Sequence, residues 1–467
     1  MKHFLLSALF LSICQTPAQS QFLWEKRFEL DYRAVTFSAV ETPEHDFLVV
    51  GRAYTSDDNG ILLMKIASNG GLLWEKRFEG SINEHSQLIV RAANNEYVLT
   101  GHSSSSIRLV KVNAEGEVIW SKSFGPSNTS GAGVSATSDG GVVVLGRTIQ
   151  IQNGDVIPHI SVVKVDAQGN EMWSKNFTQY QDLSGEAIHQ TSDGGYIIGG
   201  TEHHNSAAGG FLLKLKNDGT VSWLQKYTAP QKNYFDFAIQ TNDGDYVLCG
   251  IENSVQIPPP QQPDAYIVRA DADGNFVDFY IAGETQSTEW ANHVFQNADN
   301  DFVLAGRTDE PDGNQNVFLA VVDNEGNFTK KCVFGDGRTD IGRSSLQASD
   351  GSILVTGYTT AAGQVAYPYL IKTNMECLTL PTAEVFSELK LSVYPNPTSD
   401  IVYFDLPKTM VADCHIRVED AVGCTIFTSQ ILPGKNHFEM GKNHPGVYYY
   451  HIFKNGQRAG TGKFVKL

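Results

Sequence analysis

The 467-residue chain carries 35 Lys and Arg against 52 Asp and Glu, a formal charge of −17, with 43 glycines. Phosphate backbones are gripped by Lys and Arg with counterion release, so this acidic balance argues against a nucleic-acid partner. The length allows one large repeat domain plus a small one. Beyond the amino terminus no apolar run is long enough to span a bilayer, so no transmembrane segment is expected in the mature chain.

Residues 1–20 read as a signal peptide. Lys2 supplies the charge, Phe4–Ile13 the apolar stretch, and small residues near Ala18–Ser20 a cleavage site. Cys14 follows a bulky Ile13, which argues against lipid attachment there.

The heptapeptide LWEKRFE occurs at Leu23–Glu29 and again at Leu73–Glu79. Such spacing means a repeated supersecondary unit. Each copy runs through an alternating strand and a turn of the form Thr191–Gly200 (TSDGGYIIGG), a variable loop, and a third strand such as Val162–Asn170. It closes on a strand bearing Trp74, Trp120, Trp173 or Trp223. A glycine read as ending the second strand recurs at 51, 101, 146, 200, 250, 306 and 357, which gives seven copies. Four short strands per period, punctuated by Asp-Gly turns, predict an all-β chain built as a seven-bladed β-propeller over residues 21–381.

The seventh copy has its third strand at Tyr367–Met375 but no Trp strand after it; the surplus one is Gln21–Glu29. Pairing Trp24 and its neighbours as the outer strand of blade seven would close the ring and remove an open seam. The repeated Trp and Phe pairs lie four apart on one strand face and are expected to pack between blades. Blades five and six carry Asp278 and Lys330 in the Trp register, so looser outer edges are expected there.

Short uniform turns share one rim of such a fold, and the long variable loops share the other, where binding usually evolves. These loops include Thr148–His159, Thr201–Gly210, Asn253–Asp264 and Thr308–Asn316. Arg52, His102, Arg147 and Arg307 directly follow the repeat glycine in four copies. With Trp290, the one Trp of the repeats out of register, they are the candidate ligand-binding residues, suited to an anionic or polyhydroxyl ligand. Binding of glycan or extracellular protein is the leading expectation. A polysaccharide hydrolase or lyase using Glu202, Asp309 or Glu310 is the alternative, and a purely structural surface component the third reading.

No GxSxG, HExxH or P-loop occurs, and no catalytic residue, metal site or cofactor is expected. His203-His204 lacks a third ligand nearby, and Asp271–Asn275 reads as a hairpin turn rather than a calcium loop. Cys249 reads as a buried thiol. Cys414 with Cys424, and Cys332 with Cys377, are open pairing options, because sequence does not fix connectivity.

After Pro381 the repeat stops. A linker at 382–390 leads into a second domain at 391–467, expected to be a small antiparallel β-sandwich. Its entry, VYPNPTSD, has two prolines that fix φ around a turn-forming Asn. With the Gly446–Ile452 strand and the terminal KFVKL, it resembles the C-terminal sorting domain of the type IX secretion system of Bacteroidetes. The resemblance rests on Tyr394, Pro395, Asn396 and Pro397 at the entry and Gly462, Lys463 and Val465 at the end. It implies Sec export, engagement with the type IX machinery, and a mature protein that is released or held at the outer-membrane surface. The repeats likewise resemble secreted propeller repeats of that phylum.

Overall fold

The computed structural model describes residues 23–376 and 392–467. Within these ranges it omits short stretches at 55–58, 83–87, 104–105, 127–128, 153–154, 205–206, 228–231, 254–262, 283–286, 311–312, 361–364, 407–413, 420–424, 432–433 and 455–456. The expected leader and linker lie outside the described residues, as do Cys14, Cys377 and Cys424. The chain divides into two compact units, Met1–Thr379 and Leu380–Leu467. Among the described residues both are β structure, apart from one 3-10 turn at Ala93–Asn95.

The first unit holds five four-stranded antiparallel sheets in chain order and an eight-stranded one. The eight-stranded sheet consists of two four-stranded groups, the sixth and seventh, joined by one parallel bridge from Gln315 to Thr339. Strand β1 (Trp24–Arg27) is the outermost strand of the seventh group, with Trp24 opposite Lys372 and Arg27 opposite Tyr369. The first sheet runs β2 (Arg33–Glu41), β3 (Phe47–Tyr54), β4 (Asn59–Ile66) and β5 (Leu72–Phe78). Along β3, Leu48, Val49 and Val50 are all fully buried, because neighbouring sheets cover both faces of the middle strands.

The repeat glycine does not end the second strand, as its place in the repeat predicts; it sits inside it, and a β-bulge explains it. In β2 the register slips between Thr36 and Ser38, leaving Phe37 as an extra residue opposite Gly51. The same slip leaves Ala132, Glu186, Asp236, Asn292 and Arg343 extra in the corresponding strands. A bulge bends its strand and strengthens the local twist. Here it also drives a carbonyl into the facing strand: a Cβ at Gly51 would lie 2.1 Å from Val35 O, and one at Gly306 1.8 Å from Trp290 O. Only glycine fits.

The outer tryptophans pack onto the following sheet. A Cβ on the positive-φ turn glycine of the next sheet would strike the indole, with Gly116 against Trp74 at 2.7 Å and Gly274 against Trp223 at 2.7 Å. Trp24 makes the same contact with Gly70 of the first sheet and donates its Nε1–H to Ser68 O at 2.9 Å. Full burial, as at Trp24, is worth roughly 1.5–3 kcal/mol, and the half-buried Trp74 and Trp223 gain less. The expectation of a loose fifth sheet needs correction: Tyr280, two residues beyond Asp278, fills the Trp slot against Gly326 and is 9% exposed. In the sixth group Lys330 instead pairs with Glu376 at 2.8 Å, on the surface.

The turns are anchored by ion pairs. Asp193 accepts from the Thr191 hydroxyl at 2.5 Å and the Gly195 N–H at 3.0 Å, and meets the buried Lys214 ammonium of the third strand at 2.8 Å. Lys164 with Asp139 at 2.9 Å and Lys372 with Asp350 at 2.8 Å repeat this, and Arg269 serves Asp243 and Asp245. The sixth group has Val321 at the lysine position, opposite Val303.

The second unit has a three-stranded and a four-stranded sheet. Between them lies one core that includes Val402, Phe404, Ile416, Tyr450 and Phe464. Cys249 is a buried free thiol, pushed well up by burial, and Cys332 is disulfide-bonded.

Candidate functional site

The residues that follow the repeat glycine face the inner strand two positions before its bulge. Arg307 lies opposite Trp290, and Arg52 opposite Val35. The structure brings Arg307 and Trp290 together, with the guanidinium 4.9 Å above the indole and its Nε 3.6 Å from Asp309 Oδ1. The Trp290 Nε1–H donates to the Asp236 carboxylate, which is the bulge residue of the preceding sheet. Trp290 is thus half-buried, with its indole fixed from two sides.

Arg52 stacks 4.6 Å over Tyr54, and Arg33 shares the same ring at 4.5 Å. In the seventh group the pattern is inverted. Tyr358 follows the glycine, and the bulge residue Arg343 lies 5.5 Å over its ring and donates to its hydroxyl at 3.3 Å. Arg147 is exposed opposite Ser130, and His102 is half-buried, its backbone bonded both ways to Ser81 at 2.8 Å. Sequence reasoning singled out three arginines and His102 but missed the aromatic partners Tyr54 and Tyr358; the signal was an aromatic one or three residues past the glycine.

The carboxylates of the alternative reading are engaged as well. Glu202 is buried against Lys226 at 2.5 Å, Asp309 accepts from Gln315 at 3.0 Å, and Glu310 accepts from Thr308 at 3.3 Å. Among the described residues no group of three His, Cys, Asp or Glu is arranged to hold a metal ion. Asp271 accepts from the backbone N–H groups of Asp273 and Asn275 and closes the turn on itself. His203 is exposed beside Tyr234, and the side chain of His204 lies outside the described residues.

A second concavity lies at the other ends of the inner strands. This 490 Å3 cavity is walled by inner-strand residues of all six sheets of the first unit, among them His189, Phe237 and His293. Phe237 meets His189 edge-on at 5.3 Å and lies 4.1 Å from the His293 ring. Burial lowers His189 to about 4, and burial with the neighbouring His189 lowers His293 to about 3, so both imidazoles are neutral at pH 7. Nothing in the repeat grammar marks these histidines, since each replaces a different residue type in the sister sheets.

In the second unit the two ends of the sorting motif meet. Asn396 Oδ1 accepts the Val465 N–H at 2.9 Å, Thr398 N–H donates to Val465 O at 2.8 Å, and Leu467 N–H to Thr398 O at 2.8 Å. Gly462 faces Tyr450 across the sheet, where a Cβ would strike the phenol oxygen at 2.3 Å. Tyr394 stacks on Tyr403 at 5.6 Å, Pro395 and Pro397 are exposed, and the Lys463 side chain faces solvent.

Residues 392–466 match the family described as the Secretion system C-terminal sorting domain. No curated protein sequence matches the chain. Among solved structures it is similar to polysaccharide lyase Uly1, at 12% identity over 78% of this chain and 94% of that one, with a TM-score of 0.48. It is similar to the β-propeller domain of the Trilobed protease from Pyrococcus furiosus, at 10% identity over 74% and 94%, with a TM-score of 0.45. It is also similar to Sqt1 from Chaetomium thermophilum, at 11% identity over 73% and 96%, with a TM-score of 0.41. No helix among the described residues is long and apolar enough to cross a membrane. The chain is a propeller-type repeat protein that carries a type IX secretion C-terminal sorting domain, of the kind Bacteroidetes make, and is exported to the cell surface or beyond.

Proposed function

We propose that this protein is a seven-bladed propeller over residues 21–381, closed by its first strand, that works outside the cell as a binding module. A signal peptide at 1–20 would start its export, and the sorting domain at 391–467, beyond a linker at 382–390, would engage the type IX machinery. The mature protein is then released or held at the outer-membrane surface. Its ligand is a glycan or an extracellular protein, met at the rim that carries the variable loops.

One observation carries this reading. Three of the four-stranded groups set an aromatic ring and a guanidinium in stacked contact beside the repeat glycine: Trp290 with Arg307, Tyr54 with Arg52, and Tyr358 with Arg343. Flat aromatic faces rimmed by fixed hydrogen-bonding groups suit polyhydroxyl or polar protein surfaces. The hydrolase or lyase alternative is less well served, because Glu202 is held in a buried ion pair rather than poised for proton transfer.

The test is retention of the purified protein on a panel of insoluble polysaccharides and glycoproteins, with supernatants assayed for released sugar. Binding without release, lost in Trp290→Ala at an unchanged thermal midpoint, is the expected result. Soluble product would sink the binding reading in favour of an enzyme, and silence on both would leave a scaffold.

A further inference from the structure

From the cavity at the turn ends of the inner strands, we infer a second binding site, separate from the variable-loop rim, for a small amphipathic carboxylate: an apolar or aromatic body bearing one anionic head. The volume, 490 Å3, falls within the range of small-molecule pockets, and the wall is mostly apolar with a few convergent polar groups. Phe237, Ile239, Phe295 and Leu346 supply the apolar side. Arg91 supplies the head-group partner; it is exposed and oriented by its hydrogen bond to Asn95 at 2.5 Å.

Charge selects the ligand class. No Asp or Glu is among the residues lining the cavity, in a chain of net charge −17. Glu44, on a turn of the first sheet, is within electrostatic reach of Arg91 but is fully exposed and outside the wall. A cation would therefore find no counter-charge inside, while a carboxylate would meet a guanidinium able to bind it through two N–H groups. The neutral imidazoles of His189 and His293 do not repel an apolar body, and His293 Nδ1 is engaged with Ser345 Oγ at 3.3 Å. His189 Nε2 has no hydrogen-bond partner and is shut from water, so no protein contact to that nitrogen fixes the ring's orientation.

The experiment is isothermal titration of the full chain at pH 7 with 4-phenylbutanoate and with its uncharged amide. Saturable one-to-one binding of the acid, at least tenfold weaker for the amide, is expected. Arg91→Gln should weaken the acid by at least tenfold with the thermal midpoint unmoved, because Arg91 is exposed. Leu346→Trp, which fills the cavity, should abolish binding; if that variant fails to fold, Arg91→Gln and the amide still decide. Equal affinity for acid and amide, binding that survives Arg91→Gln or Leu346→Trp at wild-type strength, or no saturable binding at millimolar acid would each overturn the site. None of these outcomes depends on Trp290 or the opposite rim.

Discussion

Glu41 Oε2 accepts the backbone N–H of Ser349 at 2.7 Å, and its Oε1 accepts the Ser349 hydroxyl at 2.7 Å, across 308 residues of sequence. The same bond recurs between consecutive sheets: Gln190 caps Ser138 at 2.7 Å, Gln240 caps Ser192 at 2.8 Å, and Gln296 caps Asn242 at 2.8 Å. In each case the end of an inner strand holds the first turn of the preceding sheet, so the first sheet treats the seventh group as its predecessor. Glu41→Ala should cost about 1.5–3 kcal/mol in denaturant unfolding, the worth of a hydrogen bond to a charged group. Glu41→Gln should keep most of it, since glutamine does this work in three other sheets. Equal losses for the two variants would show that the bond is not what matters.

The turn aspartates predict an acid-sensitive fold. Asp139 and Asp193 sit at about 2 rather than 3.8: burial acts to raise them, but hydrogen bonds from the turn and the facing lysine overcome it. A depressed carboxylate contributes stability that is complete above its unfolded value and lost as pH falls through the folded one. Denaturant midpoints should therefore hold down to about pH 4 and fall between 4 and 2. Because both carboxylates are about half exposed, solvent screening makes each share small. Flat midpoints across that window would exclude the aspartates as the acid trigger.

Removing one partner separates the pair's terms. Asp193→Ala leaves the Lys214 ammonium, 7% exposed, without its counter-charge and should cost roughly 2–3 kcal/mol. Lys214→Val with Asp193→Ala should cost less than Asp193→Ala alone, because the sixth group already packs Val321 at the lysine position. A double-mutant cycle in denaturant measures this, and a double variant worse than Asp193→Ala would refute it.

Glycine substitutions should divide sharply by position. At Gly306 a new methyl would sit 1.8 Å from Trp290 O, so Gly306→Ala must displace the bulge and should cost about 3 kcal/mol or more. At Gly133 the nearest atom would be 3.7 Å away, so Gly133→Ala should stay within about 1 kcal/mol of wild type. Thermal melts of the two variants suffice. Similar losses would mean that the glycine effect is general flexibility rather than the bulge.

The four-strand grammar is legible because turns and strands have local signatures, and the sorting tail because its motif is contiguous at each end. What sequence hides is contact between distant positions. The lysine of VVKVDAQGN looks like a solvated strand residue, yet Lys164 is buried on Asp139, 25 residues away. Asp278 marks a missing Trp, but the slot is filled from two residues further on by Tyr280, on the same strand face. The repeat glycines are countable, whereas the bulge that requires them is a property of two strands at once. His189 and His293 have no motif because the cavity is assembled from one inner strand per four-stranded group, each differing at the wall. Arg52 and Arg307 are visible in the column after the glycine, but the contacts of Arg307 with Trp290 and of the bulge residue Arg343 with Tyr358 depend on strand pairing.

The sorting domain's entry and its terminal strand form one hydrogen-bonded structure through Asn396, Thr398, Val465 and Leu467. Asn396→Ala, which leaves the Val465 N–H without its acceptor, and removal of residues 463–467 should therefore impair export in the same way. Combining them should do no further harm. Lys463 differs, because its side chain is exposed between the buried Phe464 and the half-buried Gly462. Lys463→Ala should leave the thermal midpoint unmoved, so any fall in export there reports recognition by the type IX machinery rather than unfolding. The measurement is the fraction of full-length protein reaching the surface or medium of a host with that machinery, set beside the melting curve of each variant. If Asn396→Ala exports normally while the truncation does not, the machinery reads the terminal residues themselves and the Asn396–Val465 bond is incidental.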